Sequence, residues 1–189
     1  NGLRYDITVI PPFKLGIEYV KTAGHYHPLV PGGMMTYPEI YEVLEGKAHY
    51  LLQKYKGEIT EVVDVVVVEA EQGDKVIIPP DYGHVTINPS KKVLKMANWV
   101  SRNFSSVYEA YSKLRGGAYF ELAGGEFIKN SNYSTLPGIR FLEPSNFSDF
   151  GLRKSSEMYG LVRSIEKLAF LNRPEKFKAL FDRVLKERR

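Results

Sequence analysis

Two stretches of the sequence decide the fold: residues 24–46, GHYHPLVPGGMMTYPEIYEVLEG, and residues 73–88, GDKVIIPPDYGHVTIN. Between them they hold three of the four histidines in the chain, His25, His27 and His84. His25 and His27 are one residue apart, so in an extended strand both imidazoles lie on the same face. In that arrangement the two rings can bind one metal ion, but the pair alone is also compatible with two exposed histidines on a strand.

A carboxylate side chain, Glu39, follows the two histidines in the sequence and belongs to a second pair of residues spaced two apart. Glu39 and Tyr41 are again two positions apart and share one face of the next predicted strand. His49 lies in the strand after that, and we interpret it as a surface or hydrogen-bonded core histidine with no part in the site.

The surrounding sequence predicts an all-β core. Short runs rich in β-branched and aromatic residues are separated by Gly, Pro and Asn, and no helical pattern of 10 to 15 residues intervenes to make parallel βαβ units. Many short strands at this spacing indicate a closed sandwich or barrel. We expect strands over 4–10, 15–22, 39–45, 47–53, 61–69, 75–79, 84–88 and 92–100, and a hairpin over 118–129.

The C-terminal part has a different pattern. Apolar residues from Met158 to Ala169 repeat at helical spacing after Ser155 or Ser156, and a second helix is predicted after Asn172 and Pro174. The sequence therefore predicts a barrel domain over 1–145 and an α-helical extension over 146–189 that packs on the barrel or at a dimer interface.

Composition excludes several classes of protein. The 189 residues are 43% hydrophobic and 25% charged, which is ordinary globular usage, and without cysteine there is no disulfide, iron–sulfur cluster or thiolate nucleophile. The net charge of +4 is concentrated in residues 163–189, where nine Lys/Arg face four Asp/Glu along an alternating-sign tail. We expect a soluble, cytoplasmic protein that binds neither nucleic acid nor membrane.

The two quoted stretches resemble the paired motifs of the cupin family, in which H-x-H, a Glu on the next strand and a later His converge inside a small β-barrel. The resemblance covers residues 22–88 and implies a double-stranded β-helix, or jelly-roll, whose metal ligands are His25, His27, Glu39 and His84. It departs from the family in the spacing of the first motif, where eleven residues separate His27 from Glu39. We interpret the extra residues as a lengthened turn.

Three imidazoles and a carboxylate suit divalent transition metals. We expect one such ion per subunit, with Fe(II) first and Mn(II), Ni(II), Co(II) or Zn(II) as alternatives. In an octahedral ion, four protein ligands leave two positions for neighbouring oxygens of a substrate. The ion is then a Lewis acid for negative charge that develops on oxygen.

One branch of the family is more similar than the others. The run T-A-G-H-Y-H at residues 22–27, followed by P-E-I-Y at 38–41 and L-L-Q at 51–53, resembles the archaeal cupin-type phosphoglucose isomerases, which are enzymes of glycolysis and gluconeogenesis. Departures are Ser106, where the family carries a His, and a shorter N-terminal segment. In the family, this N-terminal segment covers the barrel. We expect the C-terminal helices to cover the barrel in its place and to form part of a homodimer interface.

The resemblance implies a sugar-phosphate substrate and a role for each matched residue. Thr8, Thr22 and Gly24 would contact the phosphate, Tyr41 would line the sugar site, and Tyr108 matches a substrate-facing tyrosine more loosely. The alternative interpretation of Tyr108 is a packed aromatic side chain with no contact to substrate.

Exchange of glucose 6-phosphate and fructose 6-phosphate moves hydrogen between C1 and C2. We interpret Glu39 as the base of a cis-enediolate route, with the metal polarising both oxygens and Tyr41 as proton donor or orienting group. A metal-assisted hydride shift is the alternative route.

Two other functions fit the same ligands. The first is a metal-dependent cupin oxygenase acting on a small organic acid or thiol, which would consume O2. The second is a non-catalytic cupin that binds a sugar phosphate or a metal, which would show tight binding without turnover.

Overall fold

The computed structural model describes residues 2–186, and its elements are mainly strands. In chain order the strands are β1 (Leu3–Ile10), β2 (Lys14–Leu15), β3 (Glu18–Tyr19), β4 (Glu39–Glu45), β5 (Lys47–Tyr55), β6 (Val62–Glu71), β7 (Lys75–Ile78), β8 (Gly83–Ile87), β9 (Leu94–Ser101), β10 (Tyr119–Glu121), β11 (Phe127–Lys129) and β12 (Ile139–Leu142). The helices are α1 (Glu109–Lys113), α2 (Lys178–Phe181) and three 3₁₀ helices over Ser148–Phe150, Met158–Leu171 and Pro174–Phe177. Within residues 2–186, no helix is both long enough and apolar enough to cross a lipid bilayer.

The barrel consists of two four-stranded sheets. One has the strand order β1-β9-β4-β7 and the other β12-β6-β5-β8. Neighbouring strands are antiparallel, apart from the parallel pair of β12 and β6. This arrangement confirms the predicted all-β, double-stranded β-helix.

The core lies between the two sheets, and both sheets are also covered on the outside. Val66 and Val68 of β6 belong to the cluster between the sheets. Val65 and Val67 point the other way, into an outer cluster that includes Tyr111 and residues near β10. Strands buried on both faces favour continuous apolar runs, which explains the unbroken valines from 65 to 68.

The C-terminal segment covers the outer face of the first sheet. Ile40, Ile77 and Trp99 of that sheet pack with apolar residues of the segment, namely Phe147, Leu152, Met158, Leu161, Leu168, Phe170, Leu171, Leu180 and Val184. The extension therefore packs on the barrel. The domain boundary at residue 145 and a part in a dimer interface stay predictions.

Most of this extension is 3₁₀ helix where we predicted α-helix. The buried residues Met158 and Leu161, and again Leu168 and Leu171, are three positions apart, which places them in line on a helix of three residues per turn. Ser164 has a non-helical backbone (φ −144°, ψ 51°) and divides the two stretches. The predicted Ser155 or Ser156 cap is also wrong, since Glu157 occupies the N-cap and makes no side-chain capping bond.

Three further elements differ from the sequence prediction. We expected one strand over 15–22. The structure has instead a hairpin of two short strands, β2 and β3, because Gly16 turns the chain with a φ of +63°. Helix α1 was missed because five residues are too few to show a period. Strand β12 was missed because it forms by parallel pairing with β6, a contact 70 or more positions away.

Trp99, the only tryptophan, connects β1 to the C-terminal segment. Its ring lies 4.9 Å from that of Tyr5 on β1, centroid to centroid. Its indole N–H donates to the carbonyl oxygen of Met158, at 3.2 Å. One side chain thus touches both a barrel edge strand and the segment that covers the sheet.

A buried ion pair anchors the same segment. Lys75 Nζ lies 2.9 Å from Glu42 Oε1, and the two side chains are 2% and 4% exposed. The other oxygen of Glu42 accepts from the backbone N–H of Met158, at 2.7 Å. Lys75 also donates to the carbonyl oxygens of Gly73 and Ser156. The pair is therefore bonded to the turn between β6 and β7, through Gly73, and to the C-terminal segment, through Ser156 and Met158.

A second ion pair joins β12 to β6. Arg140 donates to both oxygens of Asp64, at 3.0 and 2.7 Å, and Tyr82 donates to Asp64 at 2.6 Å. Arg140 also donates to the carbonyl oxygen of Leu185 near the end of the described chain. Burial raises the pKa of the Asp64 carboxyl, but the hydrogen bonds from Arg140 and Tyr82 outweigh it, so the pKa lies below its ordinary value.

We expect Asp64→Asn to lower the free energy of unfolding by about 1 to 3 kcal/mol at pH 7. Because the folded-state pKa is depressed, this contribution is complete above the unfolded pKa of about 3.9 and is lost as pH falls through the folded value. Urea unfolding of both proteins between pH 2 and pH 7 measures it. The two stability curves should converge at the acid end; a constant offset across that range would contradict the assignment.

Candidate metal centre

The barrel brings the four predicted ligands together. Glu39 lies at the start of β4, and His84 lies in β8 of the opposite sheet. The His25 segment adds to β8 by backbone pairing, with the His25 N–H donating to His84 O and the His84 N–H donating to His25 O. The ligand atoms of His25, His27, Glu39 and His84 all lie within 4.8 Å of one another.

Alternation separates the ligands from the residue between them. Tyr26 points away from the metal cluster, and its ring packs against Tyr55 and Tyr111 with centroids 5.3 Å apart. Its hydroxyl accepts from Gln53 at 2.9 Å. The packing of Tyr26 into the outer cluster therefore holds both neighbouring histidines on the inner face.

Hydrogen bonds to the backbone fix two of the imidazoles. His27 Nδ1 lies 2.8 Å from Tyr37 O, and His25 Nδ1 lies 3.3 Å from Ala23 O. A carbonyl oxygen only accepts, so in both rings the proton is on Nδ1 and the Nε2 lone pair is free for a metal.

The carboxylate of Glu39 divides its two oxygens between different partners. Oε2 lies 3.4 Å from His27 Nε2 and 3.4 Å from His84 Nε2. Oε1 accepts from Asn98 Nδ2 at 2.7 Å. The oxygen that faces the imidazoles is therefore the one that the amide leaves free.

Burial keeps the three imidazoles neutral. It lowers the pKa of His25 to about 4, with His84 as a second cause, and that of His27 to about 4. Burial alone lowers the pKa of His84 to about 3. At neutral pH each ring therefore keeps its lone pair, which is the form that binds a metal.

Burial acts in the opposite direction on Glu39 and Tyr41. It raises the pKa of the Glu39 carboxyl, although His27 and His25 oppose the shift. It also raises the pKa of Tyr41, and the charge of Glu39 adds to the effect. Tyr41 therefore stays protonated, and its hydroxyl oxygen lies 3.1 Å from His84 Nε2.

The residues present fit a divalent transition metal. Ligands about 2.1 Å from one ion lie about 3 to 4 Å from each other, close to the spacing of these four groups. Within residues 2–186, Glu39 forms no ion pair with a Lys or Arg, and its carboxylate is surrounded by the Asn98 amide, the imidazoles and the Tyr41 hydroxyl. A cation at this point would compensate that charge.

The cluster opens into a cavity of about 220 Å³. Of the predicted substrate residues, Thr8, Thr22, Tyr41 and Tyr108 line it. Tyr108 is 49% exposed, and its ring lies 5.3 Å from that of His25, so it is not a packed core aromatic.

Gly24 lies outside this cavity, in an adjacent pocket that shares Thr22 and Tyr108 with it. A Cβ at position 24 would overlap the ring of Tyr111, so the backbone can approach that ring only with glycine here. The structure thus gives Gly24 a packing role, and its contact with phosphate stays a prediction.

Three polar residues of the cavity wall were missed from the sequence: Arg4, Asp6 and Asn98. Arg4 and Asp6 alternate with Thr8 along β1, and they form an ion pair at 2.9 Å. The spacing of Thr8, Asp6 and Arg4 was a usable signal, because residues two apart on a strand share a face. Asn98 on β9 gave no such signal.

His49 lies on the outside of the barrel, as expected. Its Nδ1 donates to the buried carboxylate of Glu121, at 2.9 and 3.0 Å from the two oxygens. This contact confirms the prediction of a hydrogen-bonded histidine away from the site.

A protein-family model described as glucose-6-phosphate isomerase (GPI) matches residues 1–137. Curated relatives include the glucose-6-phosphate isomerase of Thermococcus litoralis, 37% identical over 92 residues, and that of Pyrococcus furiosus, 34% identical over 88 residues. The matches cover 49% and 47% of this chain, and 43% and 41% of those proteins. The chain thus spans less than half the length of the curated relatives it matches.

Solved structures with a similar arrangement include an oxalate oxidase, with a TM-score of 0.40 and 18% identity over 57% of this chain and 46% of that one. Another is a conserved protein with a double-stranded β-helix domain from Klebsiella pneumoniae, with a TM-score of 0.38 and 18% identity over 57% and 76%.

Proposed function

Because the chain belongs to the glucose-6-phosphate isomerase family, we propose that it interconverts glucose 6-phosphate and fructose 6-phosphate. The observation that carries this proposal is the cluster of His25, His27, Glu39 and His84, of which the first three line one polar cavity. Aldose–ketose exchange needs a proton acceptor beside C1 and C2 and a way to stabilise charge on two neighbouring oxygens. A cavity with one buried carboxylate among metal ligands meets both needs.

The four ligands would hold one divalent transition metal ion, Fe(II) first among the candidates. When bound, such an ion supplies a Lewis acid that stabilises negative charge on the substrate oxygens. The imidazoles contribute by being neutral and by having Nδ1 tied to the backbone in His25 and His27.

Glu39 is the proposed base that moves the proton between C1 and C2 in a cis-enediolate route. Burial raises the pKa of its carboxyl, which increases its affinity for the proton that it must accept. Tyr41 stays protonated and lies next to His84, so its hydroxyl can orient a sugar oxygen by donating to it.

The phosphate would bind at the open side of the cavity. Thr8 and Thr22 offer hydroxyls there, and Arg4 offers the only guanidinium on the cavity wall among the described residues. Thr22 Oγ1 already accepts from the Thr86 N–H at 3.0 Å, so its own proton is available to a ligand. A homodimer, an archaeal source and a cytoplasmic location stay predictions.

The first test is formation of glucose 6-phosphate from fructose 6-phosphate by the protein as purified, after EDTA, and after addition of Fe(II), Mn(II), Ni(II), Co(II) or Zn(II). We expect EDTA to remove activity and at least one metal to restore it. His84→Ala should be inactive with every metal, whereas His49→Ala, the matched control outside the barrel, should retain activity.

Inactivity of the wild-type protein with every metal would contradict the isomerase. O2 uptake with a small organic acid or thiol would then favour the oxygenase, and tight binding of fructose 6-phosphate without turnover would favour a binding protein.

A further inference from the structure

Asn98 occupies the middle of the sheet that forms one wall of the cavity. It lies on β9, directly opposite Asp6 of β1 on one side and Tyr41 of β4 on the other. Its side chain is 5% exposed, yet it is polar and faces the cavity. A buried amide in a sheet centre has a cost unless its hydrogen bonds are made.

The strongest of those bonds goes to Glu39. Asn98 Nδ2 lies 2.7 Å from Glu39 Oε1, which is the short distance of a charge-assisted bond. With Oε1 occupied, Oε2 is the oxygen left to face His27 and His84, each at 3.4 Å.

The orientation of the amide is itself set by a second carboxylate. Asn98 Nδ2 lies 3.5 Å from Asp6 Oδ2, and Asp6 is held by Arg4 at 2.9 Å. Both neighbours of the amide nitrogen are acceptors. The reversed amide would place its oxygen 2.7 Å from a carboxylate oxygen, where the two repel each other, so the nitrogen must point inward.

We propose that Asn98 is a positioning residue that holds the Glu39 carboxylate in the orientation in which one oxygen faces the histidines, and thereby sets the affinity of the site for a divalent transition metal. This inference rests on the metal centre of the proposed function. A carboxylate that is free to rotate must be ordered when the ion binds, and the cost of ordering weakens metal binding. A hydrogen-bond partner that already holds the carboxylate in place removes that cost.

Titration of the intact protein with Mn(II), followed by the EPR signal of the free ion, tests the proposal. Asn98→Leu keeps the number and branching of the side-chain heavy atoms without a hydrogen-bond donor, and Asn98→Ala removes the amide. We expect both to weaken Mn(II) binding by about 10- to 100-fold, the range found for such partners. The visible spectrum of the Co(II) form should also change, because the carboxylate is no longer held in one orientation.

Ser101→Ala is the matched control. Ser101 is buried on the same strand and donates to Asn172 at 2.6 Å, outside the cavity. It should lower thermal stability and leave Mn(II) affinity unchanged. Asn98→Leu with an affinity within twofold of the wild type would overturn the proposal, as would an equal loss in Ser101→Ala.

Isomerase activity is not part of this readout. A wild-type protein that binds Mn(II) but does not convert fructose 6-phosphate fails as an isomerase, and the comparison of Asn98 variants still decides the positioning role. A wild-type protein that binds neither Mn(II) nor Co(II) overturns the positioning role together with the metal centre.

Discussion

Glu39→Ala is expected to lower kcat/KM for fructose 6-phosphate by at least about 10³-fold, the largest effect on activity that the site predicts. The substitution removes both a metal ligand and the only carboxylate in the ligand cluster. The bond from Asn98 to Oε1 is lost at the same time. A coupled assay of glucose 6-phosphate measures the loss of activity, and the metal content of the same sample measures the loss of the ligand.

Glu39→Gln separates the two roles. It keeps a neutral oxygen that can bind a metal weakly, but it cannot accept a proton from carbon. Retention of metal with loss of activity would therefore support Glu39 as the base. Glu69→Ala is the control, because Glu69 is an exposed carboxylate near His49 outside the barrel. More than a tenth of wild-type activity in Glu39→Ala would rule Glu39 out as the base.

Glu42→Ala is expected to give the largest loss of stability, about 3 to 5 kcal/mol. It leaves Lys75 charged in a site where the side chain is 2% exposed, and it leaves the Met158 N–H without its acceptor. For a chain of this size the melting temperature should fall by roughly 6 to 20 °C. Thermal unfolding followed by circular dichroism measures it.

The double variant Glu42→Leu, Lys75→Met should recover part of this loss, because removing both charges of a buried pair costs less than removing one. Asp149→Ala is the control: its bond to Arg183 also holds the C-terminal segment, but both side chains are about half exposed. That variant should lose less than about 1 kcal/mol. Equal losses in Glu42→Ala and Asp149→Ala would contradict the special role of burial.

Much of the clustering of the four proposed ligands was predictable because it depends on local alternation. His25 with His27, and Glu39 with Tyr41, are two positions apart, and strands keep that spacing on one face whatever lies beside them. The cupin resemblance then supplied His84.

What escaped prediction depends on contacts between distant segments. Asn98 reaches Glu39 only because β9 lies between β1 and β4, and nothing near residue 98 shows that order. The 3₁₀ geometry of Met158–Leu171 was missed for a similar reason. Apolar residues three and four positions apart fit an α-helix as well as a 3₁₀ helix in the sequence, and which of them are buried depends on packing against the sheet.

The position of Trp99 also gives the protein an intrinsic fluorescence signal that depends on its tertiary contacts. A lone indole that donates to Met158 and packs on Tyr5 changes its emission if either contact opens, so one fluorescence signal follows both the C-terminal segment and strand β1. Emission from Trp99 that shifts before the β-sheet circular dichroism is lost would show that the covering layer can detach while the barrel stays folded.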